Sequence, residues 1–315
     1  MRTRLTELFG IKYPIFAFSY MSPVVAAVTR AGGLGVLGAV RFTPEELENE
    51  LKWLDDQVDG KPYGVDVVIP VSSAASGMGD DDDLAEKLRE MIPKAHREFV
   101  DQLLEKYDVP PAAADSTPNR DLLGWVEGTA RSQVDVALQH KISLLVSALG
   151  PPPTDVVENL HSHGVKVGAL VGSADHARNQ VTNGADIIIA SGTEAGGHTG
   201  EVATMVLVPD VVDAVDVPVL AAGGIGSGRQ MAAALALGAE GVWTGSVWLS
   251  TEEAGVAPTL QDELLKATSR DTIRSRAMTG KPARLLKTRW VEEWESKDSP
   301  GPLPMPLQYM LNAQA

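Results

Sequence analysis

Val217-Pro-Val-Leu-Ala-Ala-Gly-Gly-Ile-Gly-Ser-Gly-Arg229 is a short apolar run that ends in a cluster of glycines. A helix-like run, Gln230–Leu237, comes next, and Glu240-Gly-Val-Trp-Thr-Gly-Ser246 is a second apolar run that again ends in Gly-Ser. Strand, glycine turn, helix, strand is the building unit of a parallel α/β fold. Gly224-Ile-Gly-Ser-Gly228 resembles a dinucleotide fingerprint only superficially. That motif needs two residues between its second and third glycines, and here there is one. Glycine N–H groups at a strand end, with a helix start behind them, suit a phosphate instead.

Moving outward, short β-rich runs recur at Pro14–Phe18, Leu34–Leu37, Tyr63–Ile69, Ile142–Val146, Val165–Val171, Asp186–Ala190, Val217–Ala221 and Gly241–Thr244. Continuous apolar runs of this kind suit strands buried on both faces of a parallel sheet. Helical patterns lie between them, clearest at Val24–Arg30, Pro44–Gln57, Thr154–His163, Ser173–Asn183, Met205–Ala214 and Gly228–Leu237. Thr43 with Glu46 forms a capping box ahead of Pro44. Eight strands alternating with helices in 315 residues predict a single (β/α)₈ TIM barrel over 1–315, class α/β, with an open doubly wound sheet as the alternative.

One connection exceeds what a barrel needs. Residues 72–135, between strands three and four, read as a helical insertion serving as lid, interface or plain decoration. Its helical pattern runs over Leu84–Tyr107, ahead of the proline-rich Pro110–Pro118. The run Asp80–Asp83 reads as a solvated loop, because its spacing does not fit a calcium loop. After strand eight, helices are expected around Thr259–Thr268 and Asp271–Arg276, and residues 300–315 are expected to be an extended tail. The prolines of Pro300-Gly-Pro-Leu-Pro-Met-Pro-Leu307 motivate the last reading.

Composition narrows the functional classes. There is no cysteine, so disulfides, thiol nucleophiles and thiolate metal sites are excluded. A formal charge of −15 repels nucleic-acid phosphates on average. No apolar run reaches the length of a bilayer span, and the N-terminus lacks a signal-peptide core, so a cytoplasmic protein without membrane or nucleic-acid partners is expected. Ile187-Ile-Ile-Ala-Ser-Gly-Thr-Glu-Ala-Gly-Gly-His-Thr-Gly200 supplies the chemistry. A histidine held on a glycine-rich loop at a strand end is a candidate acid–base group, with an ordinary midpoint near ~6.5 unless its surroundings shift it.

Glu194-Ala-Gly-Gly-His-Thr-Gly200, Ala221-Ala-Gly-Gly-Ile225 and Ala31-Gly-Gly-Leu-Gly35 resemble the nitronate monooxygenase (2-nitropropane dioxygenase) family, in order and spacing over most of the chain outside the insertion. The resemblance implies a (β/α)₈ barrel carrying FMN. It implies His198 as the catalytic residue and Gly196 and Gly197 as main-chain contacts near the flavin. It implies Gly223, Gly224, Gly245 and Ser246 as a phosphate cradle, and Ala17 and Phe18 as the loop along the ring system. Asp66 falls where relatives often have asparagine, and Ser191 where they usually have glutamine, both near the cofactor. The implied activity is oxidation of a nitronate or nitroalkane by O₂ through a histidine base. Reduction of an activated alkene or a quinone with NAD(P)H fits the same site, as does a non-catalytic flavin- or phosphate-binding regulator. A small-molecule substrate is expected, and homo-oligomer formation is left open.

Overall fold

The computed structural model of the protein describes residues 1–69, 84–110, 127–148 and 150–314. In chain order it begins α1 (Arg4–Phe9), β1 (Ile15–Ser19), α2 (Ser22–Ala31), β2 (Leu34–Gly38), α3 (Pro44–Gln57) and β3 (Tyr63–Val67). Next come α4 (Leu84–Glu90), α5 (Lys94–Lys106), α6 (Glu127–Ala137), β4 (Ile142–Ser147), α7 (Thr154–Ser162), β5 (Lys166–Val171), α8 (Ala174–Thr182) and β6 (Ile187–Ser191). The chain continues through β7 (Gly197–His198), α9 (Thr204–Val212), β8 (Val219–Ala222), α10 (Gly228–Ala236) and β9 (Gly241–Thr244). It closes with α11 (Pro258–Lys266), β10 (Thr272–Ser275), β11 (Ala283–Leu286), α12 (Arg289–Trp294) and α13 (Leu307–Gln314).

Eight parallel strands close into a barrel in the order β1-β2-β3-β4-β5-β6-β8-β9, and the ring is completed by the pairs Ile15–Val242, Phe16–Trp243 and Ala17–Thr244. All eight apolar runs are strands of this barrel. Alternation along each strand divides the core. Phe16, Val36, Leu144, Val146, Ile189, Leu220 and Trp243 fill the interior. Val65 and Val67 face outward into a cluster with Leu47, Leu51 and Leu54 of α3. Those three leucines recur on one helical face and are fully buried, each contributing about 1.5–3 kcal/mol. The Thr43–Glu46 box caps α3 reciprocally, and α3 spans the expected residues. Ile188 and Val219 face Leu207, Val208 and Val211 of α9 in the same way.

At the N-terminal end of the barrel, polar side chains serve the scaffold. The His140 ring nitrogens each lie 2.9 Å from a carboxylate oxygen, one of Asp55 and one of Glu48. Asp55 also accepts from the Tyr63 hydroxyl at 2.8 Å. This chain of bonds ties α3 to the start of β4.

Three expectations are corrected. The insertion ends before α6, not at residue 135. Ala130, Val134 and Ala137 of α6 join the barrel core, and Gln133 Nε2 donates to the Ala39 and Phe42 carbonyls at 2.9 and 2.8 Å. Within the insertion the expected run Leu84–Tyr107 is two helices, because Pro93 cannot continue a helix and disfavours helical backbone at the residue before it. Asp80–Asp83 and residues 111–118 lie outside the described residues. Second, Asp271–Arg276 is not a helix: Thr272–Ser275 is strand β10. Third, the tail is not extended throughout. Prolines end at Pro306, where proline is tolerated ahead of a helix, and α13 follows.

The insertion and the C-terminal elements share a core of their own. Leu88, Ile92 and Val100 pack with Val291, Trp294, Leu307, Met310 and Leu311. Trp294 lies at the centre, stacked on His96 at 6.2 Å and edge-on to Phe99 at 5.0 Å. Trp294→Ala should therefore destabilise the protein by about 3–5 kcal/mol in urea unfolding. A loss below about 1 kcal/mol would show that α4 and α5 are not anchored through this residue.

Candidate active site

Three loops meet at the C-terminal mouth of the barrel, after β6, β8 and β9. Gly223 and Gly224 have φ of +117° and +67°, a region that glycine alone enters without strain. A Cβ on Gly223 would sit 2.5 Å from Thr204 Oγ1 and 3.2 Å from the Ala195 nitrogen, and one on Gly224 would sit 3.2 Å from Glu194 Cβ. A Cβ on Gly196 would collide with the Ser246 hydroxyl. The glycines thus let the β6, β8 and β9 loops close on one another. Among the described residues, the N–H groups of Gly223, Gly224, Gly245 and Ser246 donate to no protein acceptor. Four such donors at the ends of the last two barrel strands fit the oxygens of a phosphate.

The neighbouring helix starts are capped in part by side chains. The Glu194 carboxylate accepts from the Thr204 nitrogen and hydroxyl, both at 2.8 Å, at the first turn of α9. Burial pushes the Glu194 carboxyl up, but the Thr204 hydrogen bonds and Arg284 outweigh it and hold the group below the usual range. Glu194 is therefore an anion seated on α9. Gln230 Oε1 accepts from the Gly226 nitrogen at 3.0 Å at the start of α10.

Phe18, Asp66, Ser191 and Trp243 line the inner wall of the barrel towards this mouth. Phe18 stacks on Trp243 with ring centroids 6.1 Å apart and meets Tyr20 edge-on at 5.0 Å. Asp66, beside Gly38 on one strand and Val146 on the other, is 5 % exposed. Burial lifts its carboxyl well above the usual range. Ala17 is not with them: its side chain is buried outward among Val24, Val28 and Ala254, so only its main chain faces the site. Alternation explains this, since Phe18 points inward.

His198 comes to the mouth by a route the sequence did not reveal. Gly197 and His198 form β7, which pairs antiparallel with β11, His198 opposite Ala283 and Gly197 opposite Arg284. β11 pairs in turn with β10, making a three-stranded sheet laid beside the barrel opening. The Thr199 nitrogen donates to the Pro282 carbonyl at 3.3 Å, and Arg284 Nε donates to the Thr193 carbonyl at 2.6 Å. Arg274 donates to the Thr199 carbonyl at 3.4 Å. Thr279 Oγ1, in the β10–β11 turn, lies 2.8 Å from His198 Nε2. Burial, reinforced by the Lys281 ammonium, pulls the imidazole down to about 4, so His198 is neutral at pH 7. This replaces the expectation of an ordinary midpoint. Thr279, Lys281, Arg274 and Arg284 stand at the His198 loop, and the sequence reading did not include them. The turn signal Met278-Thr-Gly-Lys281 between Thr272–Ser275 and Ala283–Leu286 could have revealed the hairpin.

Among the described residues no group of three or more His, Asp or Glu side chains is placed to hold a metal ion. No helix among them is long and apolar enough to cross a membrane.

Comparison with known proteins agrees with this architecture. The nitronate monooxygenase family model matches residues 2–313. A Mycobacterium tuberculosis protein to which monooxygenase activity is ascribed is 57% identical, over 99% of this chain and 83% of its own length. A Staphylococcus saprophyticus protein to which nitronate monooxygenase activity is ascribed is 30% identical, over 99% of this chain and 85% of its own. Among solved structures, nitroalkane oxidase from Streptomyces ansochromogenes superposes with a TM-score of 0.79 at 28% identity, covering 98% of this chain and 85% of that one. FabK from Thermotoga maritima gives 0.71 at 32%, covering 94% and 78%. With a match that spans the chain nearly end to end, and with relatives covered over most of their length, this protein belongs to the nitronate monooxygenase family of oxidoreductases.

Proposed function

We propose that the protein is an FMN-dependent oxidoreductase that oxidises a nitronate with O₂ at the barrel mouth, with His198 facing the substrate. The observation that carries this reading is a single placement. A neutral, hydrogen-bonded histidine stands beside a loop cluster whose four unused N–H donors suit a phosphate. Gly223, Gly224, Gly245 and Ser246 would hold the FMN phosphate, and Phe18, Asp66 and Ser191 would border the ring system. Bound there, FMN would supply the redox chemistry that links substrate oxidation to oxygen. Burial raises the Asp66 carboxyl and so favours its neutral form, which lessens the negative charge it would bring to the ring system.

The histidine's environment bears on the substrate. An imidazole whose conjugate acid ionises near 4 is a weak base, and the carbon next to a nitro group is a far weaker acid than that imidazolium. Removing a proton from a neutral nitroalkane is therefore uphill in this site. A nitronate arrives already deprotonated. His198, fixed by Thr279, then orients the nitronate and offers it a hydrogen bond. The similarity to FabK makes reduction by NAD(P)H the competing outcome.

The purified protein should consume O₂ with a nitronate and release nitrite and a carbonyl compound. NAD(P)H-driven turnover without nitronate activity would overturn this reading. His198→Asn should fold and should lower turnover of a nitronate by roughly 10-fold or more through loss of the orienting imidazole, with a neutral nitroalkane turned over poorly by variant and wild type alike. Equal rates for variant and wild type with a nitronate would remove His198 from the mechanism.

Titration of the His198 imidazole by NMR should give a midpoint of about 4. The neutral form then persists from alkaline pH down through pH 5, and any activity step from this group lies in the acid region near 4. A midpoint near ~6.5 would contradict the buried environment described above.

Heating should release FMN, not FAD. Gly223→Val places a side chain against Thr204 and the Ala195 main chain at a positive φ, so it should abolish cofactor retention. A yellow, FMN-loaded Gly223→Val protein would show that the phosphate lies elsewhere.

A further inference from the structure

The hairpin over the mouth is strongly basic in an acidic chain. Of 27 Lys and Arg residues against 42 acids in the whole protein, seven lie within residues 270–289, a stretch whose single acid is Asp271. Most of the hairpin's cations next to the site have protein partners. Arg274 donates to the Thr199 carbonyl and pairs with Glu201 at 3.3 Å. Arg276 donates to the Gly280 carbonyl at 2.8 Å, and Arg284 to the Thr193 carbonyl. Lys281 differs. It is half-buried, and among the described residues its ammonium has no hydrogen bond, ion pair or aromatic face. It lies two residues before Ala283, which sits opposite His198, and next to Pro282, whose carbonyl accepts from the Thr199 nitrogen. Its charge is felt at the His198 ring.

We propose that Lys281 is the anion-recognition residue of this site, its ammonium holding the negatively charged oxygen of the substrate beside His198. The proposal rests on reading the barrel mouth as the substrate site, and it narrows the substrate to one that binds as an anion. A half-buried cation without a counter-ion is costly, and an arriving anion removes that cost. Burial already pulls the Lys281 ammonium below the ordinary lysine range, as expected of a cation lacking its partner. The choice of anion also makes physical sense against the chain's net charge. A protein at −15 repels anions on average, so a local positive element is needed to collect one. A nitronate spreads its charge over two oxygens, so one can meet Lys281 while the other faces the neutral imidazole.

The test is equilibrium binding of sodium nitrate, a planar monoanion with nitronate-like oxygens, to the purified protein with its cofactor retained. Binding is followed through the His198 imidazole NMR signals and the visible spectrum of the cofactor. Wild type should show a saturable shift. Lys281→Met and Lys281→Gln should weaken nitrate binding roughly 10–100-fold, and Lys281→Arg should restore most of it. All three should retain FMN and the circular dichroism of the wild type. The proposal is overturned if wild type binds no nitrate, or if either neutral variant binds it as tightly as wild type. It is overturned too if the neutral variants lose FMN while nitrate binding persists, because the cation then serves the cofactor phosphate. Lys281-dependent nitrate binding in a protein that oxidises no nitronate would uphold the anion site and sink only the reaction assigned above.

Discussion

The site depends on the pairing of a two-residue strand, Gly197–His198, with β11 of the C-terminal hairpin. Two residues make no stable strand alone. Here the pairing holds because the barrel fixes one side, through the β6 turn, and guanidinium groups clamp the other. Arg284 reaches back to the Thr193 carbonyl and Arg274 to that of Thr199. These are charge-assisted bonds, stronger than neutral ones. Once the strap is in place, the remaining features follow. Thr279 meets His198 Nε2, the imidazole is buried and loses its proton, and the Lys281 charge is brought near enough to act on it.

The hairpin is in turn held from behind. Ile273 and Leu285 pack onto the satellite core around Trp294, which contains residues from α4, α5, α12 and α13. The insertion after β3 is thus joined to the chain's last helix, and both support the segment that positions His198. Titratable groups divide accordingly. His140, bonded to two carboxylates at the N-terminal end of the barrel, stabilises the scaffold. His198, beside the Thr279 hydroxyl and the Lys281 cation at the C-terminal end, faces the barrel mouth. Barrels commonly separate stability and chemistry between their two ends in this way.

The barrel was legible because each strand is a buried apolar run bounded by glycine or proline, and because Thr43, Glu46 and Pro44 mark a helix start by side-chain chemistry alone. The strand-end glycines were legible for the same local reason, and the structure brings Gly196 against Ser246 and Gly223 and Gly224 against Ala195 and Glu194. What failed was decided by distant partners. Thr272-Ile-Arg-Ser275 is too short for a period to show, and it is a strand only because Ala283–Leu286 and then Gly197–His198 lie beside it. Leu307–Gln314 lies beyond the last proline, so the proline run that suggested an extended tail does not govern it. Ala17 was assigned to the mouth with Phe18, yet strand alternation sends adjacent side chains to opposite faces.

The most direct test of this account is anaerobic mixing of the purified, cofactor-loaded protein with a nitronate, with NADH and with NADPH in separate experiments, watching the visible flavin absorbance. The account predicts rapid bleaching by the nitronate and little by either pyridine nucleotide. Rapid bleaching by NADH or NADPH, with none by the nitronate, would contradict it.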